Sequence, residues 1–459
     1  MLSMTIHLGA TTRSARPVAG TAALAAVNLG VLAYFLLRFS RHGISLGPYR
    51  IDLDVYRIGS RVWLDGGNLY GPLPPTAAGV GLPFTYPPIA AVLLAPLTLL
   101  PMKSASTLLT LLSAALTAVV LRLFVAASWP PAGNSERPAG WRTVGWLLPA
   151  ALMLEPVRST ILYGQVNVLL MALVTADCLG PVGRWPRGAL VGLAAAVKLT
   201  PAAFLLFFLL RRDWRAAATA ALSFCLATAA GFALAWRDSL QYWTSTVFQI
   251  GRPGNPIYAA NQSIEAVLAR AGLVPDSLTG RGVWLAASAL VVLLACLGMR
   301  HALDRGQNGS DHGNRSGEYR GWDAWALSLN AFAALLVSPI SWSHHWVWGE
   351  TAMLVLTCLS LREPHPALRR CGLAFAAAGT ALFVIAPQWR FPSADNRELH
   401  WAWWEQLVGS SYVIVALTVL LATAVACVAC RRTTAAGKSA PVQLARNRHG
   451  HDELAPNAP

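Results

Sequence analysis

Charge is what this chain has least of. Only 12% of its 459 residues are Asp, Glu, Lys or Arg, against 55% that are hydrophobic, whereas soluble domains carry about 25% charged residues. The few charges sit in short clusters between apolar runs of roughly 20 residues, the length that crosses a bilayer as a helix. Short alternating segments, the mark of a transmembrane β-barrel, are missing because the runs are continuous. Lysine is down to Lys103, Lys198 and Lys438. A basic stripe with interleaved aromatics is absent, so the formal charge of +15 does not indicate nucleic acid. The basic residues instead gather in short loops and near both ends, as the positive-inside rule expects. Of the seven cysteines (178, 225, 296, 358, 371, 427 and 430), all lie in or beside apolar runs, where free Cys packs as a small hydrophobe. Cys427 and Cys430 form a lone C-x-x-C beside Arg431 and Arg432, with no second pair for a zinc site.

What is present is an all-α polytopic membrane protein of ten to twelve transmembrane helices. We read residues 1–19 as a cytoplasmic N-terminal tail. A first apolar segment from about Thr21 to Phe39 is an uncleaved signal anchor. Residues 20–430 form one membrane domain with external loops at about 40–86, 237–282, 338–346 and 388–406. Residues 431–459 form a cytoplasmic disordered tail. Working backward from that tail places 300–321 and 362–370 inside. In the first loop, D-L-D-V-Y-R-I-G-S-R-V-W-L (52–64) has the spacing of a short amphipathic helix, with Leu53, Tyr56, Val62 and Trp63 expected on the membrane interface. Gly66, Gly67, Pro72, Pro74 and Pro75 break regular structure beyond it. Further apolar segments are expected at roughly 89–100, 104–127, 144–157 and 160–180. Lys198 and Pro201 interrupt the next, which reads equally as one kinked span or as a re-entrant pair of half-helices. Trp389, Trp401, Trp403 and Trp404 are expected as an interfacial belt.

Several polar residues stand out against this apolar background. Asp52 and Asp54 follow the first apolar segment, flanked by Arg50 and Arg57. A carboxylate there is either a general base or a solvated loop acid paired with arginine. His344 and His345 lie beside Trp342, Trp346 and Trp348, and read as one oxyanion donor with one packing residue, or as aromatic-belt histidines. Lys198, within an apolar helix, needs an anionic partner such as phosphate, or snorkels to the interface. Arg57, Arg158 and Arg252 are weaker candidates of the same kind. Gln165, Asn167, Asn261 and Gln262 are suited to sugar hydroxyls, the first two equally to polar contacts between helices.

Taken in order, D-L-D-V-Y-R-I-G with G-G-N-L-Y, L-P-F-T-Y-P-P-I-A-A, Y-G-Q-V-N-V-L-L, G-L-A-A-A-V-K-L-T-P, N-Q-S and S-P-I-S-W-S-H-H-W-V-W resemble the polyprenol-phosphate-mannose-dependent α-mannosyltransferases of actinobacteria, glycosyltransferase family 87. The resemblance runs from about Asp52 to Trp348. It implies the GT-C membrane fold and transfer of mannose from a polyprenyl-phosphate-mannose donor to a mannolipid or lipoglycan. The acceptor would be of phosphatidylinositol mannoside, lipomannan or lipoarabinomannan type, on the outer face of the plasma membrane. The family's D-L-x-V-Y motif maps the catalytic carboxylate onto Asp52 in the first external loop, with Asp54 second. The W-x-H-H-W stretch maps its histidine onto His344 or His345. Phosphate and substrate contacts are then expected from Arg57, Lys198, Arg252, Asn261, Gln262, Tyr86, Gln165 and Asn167. No cofactor is implied, and a divalent metal is left open, with no histidine or third acid near Asp52 in sequence. The alternatives are a flippase for a lipid-linked sugar, which broken helices and a central lysine also suit, and a related transferase using another polyprenyl-phosphate sugar.

Overall fold

The computed structural model describes residues 16–37, 49–129, 140–181, 183–249, 251–252, 254–308 and 320–438. Arg13, the prolines at 130, 131 and 138, the middle of the loop between Arg300 and Arg320, the Cys430 side chain and the chain beyond 438 lie outside them. Among the described residues there is no strand, only an isolated bridge between Asn261 and Trp342. The helices are α1 (Arg16–Leu37), α2 (Ile51–Leu64), α3 (Pro88–Leu94), α4 (Met102–Ser128), α5 (Trp141–Met153), α6 (Glu155–Tyr163), α7 (Asn167–Leu179), α8 (Ala189–Val197) and α9 (Leu205–Leu210). They continue with α10 (Trp214–Leu234), α11 (Trp236–Thr244), α12 (Ile264–Arg270), α13 (Leu278–Asn308), α14 (Gly321–Val337), α15 (Trp348–Arg362), α16 (Pro366–Ile385), α17 (Trp403–Gly409) and α18 (Ser411–Lys438).

Five of these (α4, α10, α13, α16 and α18) are long and apolar enough to cross a membrane, and five further apolar helices are shorter. Their faces are sorted as a bilayer demands. In α4 the buried side carries Ser106, Thr110, Ser113 and Thr117, while Leu108, Leu111, Leu112 and Val119 face outward. The hydroxyls of Thr110 and Thr117 return to the carbonyls one turn back, at 2.8 and 2.9 Å, so they carry no unmet polarity into the protein. In α18 Ala416, Leu420, Ala424 and Cys427 are buried and Leu421, Val425 and Val428 exposed. Small residues inside and large apolar ones outside is the arrangement expected where lipid is the solvent.

One close helix pair, α8 on α10, is set by glycine. Gly188 and Gly192, four apart, put one bare stripe of α8 against α10. A methyl group on Gly192 would meet the backbone oxygen of Ala220 and the side chain of Ser223, and one on Gly188 the oxygen of Ala216. The backbones approach because neither helix has a side chain in the way. The Asp177 carboxylate then accepts from the backbone N–H groups of Gly188 and Val191, both at 2.9 Å, closing the start of α8.

Several expectations are corrected. The 160–180 segment is two helices, α6 and α7, broken at Gly164. The interruption expected at Lys198 and Pro201, by contrast, is present, with a 3-10 turn over Thr200–Phe204 between α8 and α9. Leu53 and Tyr56 are fully buried in the protein instead of resting on an interface, because α2 is covered by α3 and α6. Trp403 and Trp404 are exposed as a belt requires, but Trp401 is buried and the Trp389 indole donates to Glu155 at 3.1 Å. Cys225 and Cys371 face outward and so do not pack in the core. Helix α18 runs to Lys438, into the stretch expected as a tail.

Gly192→Leu is expected to force α8 from α10, at a cost of about 2–3 kcal/mol for overpacking. A thermal-shift measurement in detergent should show a clearly lower midpoint than wild type. Gly282→Ala, where a methyl group meets nothing within 4 Å, should match wild type.

Candidate active site

Two helix breaks and one turn build the site. The first break is Tyr163-Gly164-Gln165-Val166. Gly164 adopts a left-handed conformation with φ 77°, and the Gln165 N–H bonds back to the Thr160 carbonyl at 2.9 Å. Only glycine suits this position. Its φ is positive, and a β-carbon there would lie 2.7 Å from that of Arg50 and 2.9 Å from that of Leu53. Helix α2 therefore sits directly on the break. As a result the Gln165 amide donates to Asp52 Oδ2 at 2.7 Å. The same amide's oxygen accepts from the Tyr56 hydroxyl at 2.7 Å and the Tyr86 hydroxyl at 3.0 Å.

The second break leaves Lys198 with extended backbone after the last turn of α8. Its ammonium donates to Asn167 Oδ1 at 3.0 Å, lies 3.2 Å from His345 Nε2, and sits 5.3 Å from the centre of the Tyr86 ring. Asn167 opens α7 just past the first break, so the two interruptions meet at this lysine.

The turn is Ser343–His345. Its backbone is held firmly: the His344 carbonyl accepts from Thr160 Oγ1 at 2.8 Å and Asn167 Nδ2 at 2.9 Å. Ser343 donates to Glu155 at 2.8 Å. The N-Q-S segment braces the preceding strand-like stretch. Gln262 N–H donates to the Ser341 carbonyl at 2.8 Å, Asn261 Oδ1 accepts from Ser341 N–H at 2.9 Å, and Asn261 Nδ2 reaches the Pro339 carbonyl at 3.1 Å.

The result is a cleft of about 330 Å³ lined by Asp52, Tyr56, Tyr86, Gln165, Lys198, Tyr242, Arg252, Trp342 and His345, among others. Burial pushes the Asp52 carboxyl up to about 6, against the opposing pull of the Gln165 hydrogen bond and of the Lys198 charge. Burial, with Lys198 beside it, holds the His345 imidazole well below its ordinary range and His344 at about 3. Both rings are therefore neutral at pH 7, and His345 Nε2 is free to accept from the lysine. A carboxyl whose pKa lies near 6 is a competent proton acceptor, and the lysine, with Arg252 elsewhere on the lining, offers positive charge to an anion.

The cleft brings together Asp52, Tyr86, Gln165, Lys198, Arg252 and His345 of the expected residues. Asn167 holds Lys198 from behind. His344 is buried and packs edge-on against Tyr163, with ring centres 5.4 Å apart. Asp54 does not line the cleft: it accepts from the Tyr49 hydroxyl at 2.9 Å and the Ala77 N–H at 2.8 Å, fixing the loop. Arg57 turns away to the Leu100 carbonyl at 2.8 Å, and Arg158 is not on the lining. Asn261 and Gln262 are fully buried and engaged with backbone, Gln262 Nε2 reaching Ala259 and Gly409. They shape the turn and do not meet the cleft. Sequence reasoning missed the site roles of Tyr56 and Trp342, and it missed Glu155, which takes hydrogen bonds from Ser159, Ser343, Trp389 and Tyr412 behind the histidine turn. A lone acid inside an expected apolar segment, 144–157, was the available signal. Among the described residues no group of three His, Cys, Asp or Glu side chains gathers as a metal site.

A helical protein with lipid-suited outer faces thus brings a carboxyl of raised pKa and a lysine–histidine pair into one cleft. The chain belongs to glycosyltransferase family 87, which matches residues 84–339. It is 42% identical over 408 residues to the polyprenol-phosphate-mannose-dependent α-(1-2)-phosphatidylinositol mannoside mannosyltransferase of Mycobacterium tuberculosis, covering 87% of this chain and 88% of the relative. It is equally 42% identical, over 82% of this chain and 83% of the relative, to the protein of the same name from Mycolicibacterium smegmatis. A phosphatidylinositol pentamannoside mannosyltransferase of M. tuberculosis is 32% identical over 82% of this chain and 81% of its own length. No solved structure matches the chain.

The Gln165 amide favours the ionised carboxylate, so its loss raises the Asp52 pKa further. In Gln165→Leu the acid limb of the pH–rate profile for glycosyl transfer should move to higher pH than in wild type. A profile that keeps the wild-type limb while the rate falls would mean that Gln165 does not act through Asp52.

Proposed function

We propose that this protein transfers mannose from a polyprenyl-phosphate-mannose donor to a phosphatidylinositol-mannoside-type acceptor, forming an α-1,2 linkage, with Asp52 as general base. One observation carries the reading: the Asp52 carboxyl and the Lys198–His345 pair line a single cleft, in a chain 42% identical to enzymes named for this transfer. Charge must be taken up at two places in such a reaction. A proton leaves the attacking hydroxyl, and negative charge grows on the departing phosphate.

In the proposed course the acceptor 2-hydroxyl gives its proton to Asp52 and attacks the anomeric carbon of the donor. The bond from that carbon to the phosphate oxygen breaks, and polyprenyl phosphate leaves with the bonding electrons. A single displacement inverts a β-linked donor into an α product. The Gln165 amide, fixed by the two tyrosine hydroxyls, aims the carboxylate. Lys198 receives the leaving phosphate. His345, neutral and hydrogen-bonded to the lysine, orients the ammonium, and Arg252 adds positive charge from elsewhere on the lining. The donor's lipid chain lies along the apolar helix faces, which accounts for a catalyst built in a membrane. We place the cleft on the external side of the plasma membrane, with the loops at about 40–86, 237–282, 338–346 and 388–406 on that side.

The test is mannose transfer by the purified protein in detergent, with polyprenyl-phosphate-mannose and mannolipid acceptors. Asp52→Asn should lower kcat by roughly 10²–10⁴, the share that a general base supplies, at an unchanged protein yield. An Asp52→Asn variant with wild-type activity would remove this residue as the base. Lys198→Met should raise the donor KM and lower kcat together, because leaving-group charge then goes unpaired. Since ionised Asp52 is the active form, wild-type kcat/KM should rise with pH through about 6 and then level; a rate that falls as pH rises through that range would count against a carboxylate base.

A further inference from the structure

A second cavity, of about 360 Å³, lies beyond Trp342. Its walls come from the 254–258 segment and from the loop between α16 and α17. Asn255, Tyr258, Trp342, Asp395, Asn396 and Glu398 line it. Trp342 also lines the cleft that holds Asp52, so one partly exposed residue borders both chambers. The indole is fixed: Gly254 packs so closely on the ring that a β-carbon would lie 2.9 Å from it, and Tyr258 meets it edge-on at 6.1 Å.

The chemistry of this chamber differs from that of the cleft. Among the described residues no cationic side chain lines it, and two carboxylates do, so an anion such as phosphate is disfavoured. Its aromatic faces with amide and carboxylate acceptors suit a neutral polyhydroxylated ligand, whose ring C–H groups lie on an indole while its hydroxyls donate to oxygen. The volume falls within the range of small-ligand pockets. The polar side is also a costly piece of backbone. Ala394, Asp395 and Asn396 all have positive φ, at 69°, 53° and 59°, a conformation uncommon outside glycine. Glu398 holds it by accepting from the backbone N–H of Ala394 at 3.1 Å and of Ala259 at 2.9 Å. Asn255 donates to Asn396 at 2.6 Å. Strain of this kind persists where the surroundings enforce it.

We propose that this outer chamber is an acceptor subsite that binds a hexose of the acceptor glycan away from the hexose being mannosylated, with Trp342 bordering both. The proposal rests on the reading of the chain as a mannosyltransferase. It makes the enzyme a reader of acceptor length: an acceptor with one mannose fills only the cleft, and a longer one fills both chambers.

The experiment compares kcat/KM for an alkyl α-mannoside with that for the corresponding α-mannotrioside. Wild type should favour the trisaccharide by roughly tenfold, a modest second-site contribution. In Asp395→Gly and Asn396→Gly the ratio should fall about fivefold, the worth of one or two hydrogen bonds; glycine keeps the positive φ without a steric cost, and Asp395→Gly, which leaves the Asn255–Asn396 bond in place, separates a lost ligand contact from a loosened loop. No preference in wild type, or the same ratio in both variants, overturns the subsite. If wild type transfers no mannose at all, the functional reading itself fails. The subsite is then decided by titrating free α-mannotriose and following tryptophan fluorescence. Saturable binding lost in Asp395→Gly supports it, and no binding, or equal binding by the variant, overturns it.

Discussion

The amide of Gln165 is the joint on which the cleft depends. It has one donor group and one acceptor oxygen to offer, and both are used: the donor on Asp52 from α2, the oxygen on Tyr56 from α2 and Tyr86 from the loop ahead of α3. These partners come from two separate stretches of chain, and Gln165 itself supplies a third. In a membrane protein no surrounding water can complete an unpaired buried amide, so a shift in any one segment leaves a polar group unmet. That cost keeps the carboxylate aimed.

The amide reaches its place because a helix stops. Gly164 ends α6 and admits α2 to direct contact, and the interruption after α8 does the same for Lys198. Broken helices free backbone groups, and each end here is closed again: Gln165 N–H on Thr160, Asn330 on the Ala203 carbonyl. Such breaks are tolerated where protein or a polar cavity takes the place of lipid. The breaks also explain why the two charged groups are close. Asn167, one residue past Val166 in the first break, receives the lysine from the second.

The histidine turn shows a division between positioning and chemistry. His344 and His345 are adjacent, yet their rings are nearly perpendicular and 4.8 Å apart, one packed on Tyr163 and one on the cleft. Glu155 behind the turn, with the N-Q-S segment beside it, fixes the backbone and leaves His345 to meet Lys198. Asn261 and Gln262 were attractive as sugar ligands from their residue type alone. Their burial against backbone carbonyls shows how much of this polar sequence is spent on holding loops.

The membrane class, the amphipathic α2 and the prominence of Asp52, Lys198 and the histidine pair were legible in the sequence, because hydropathy, helical spacing and stray charges are local properties. Local pattern also misplaced Tyr56, expected on the membrane interface but covered by other parts of the protein. Whether Asp54, Arg57 or Asn261 meets the cleft depends on which residues from distant segments arrive first at their polar atoms. What the sequence by itself determined is the inventory: apolar spans, scarce charge and the residues able to do chemistry. What only the tertiary structure decided is the pairing of Asp52 with Gln165, of Lys198 with His345, and the place of Trp342 on both cavities, since those pairings join segments up to 147 residues apart and are set by packing, which no single stretch of sequence records.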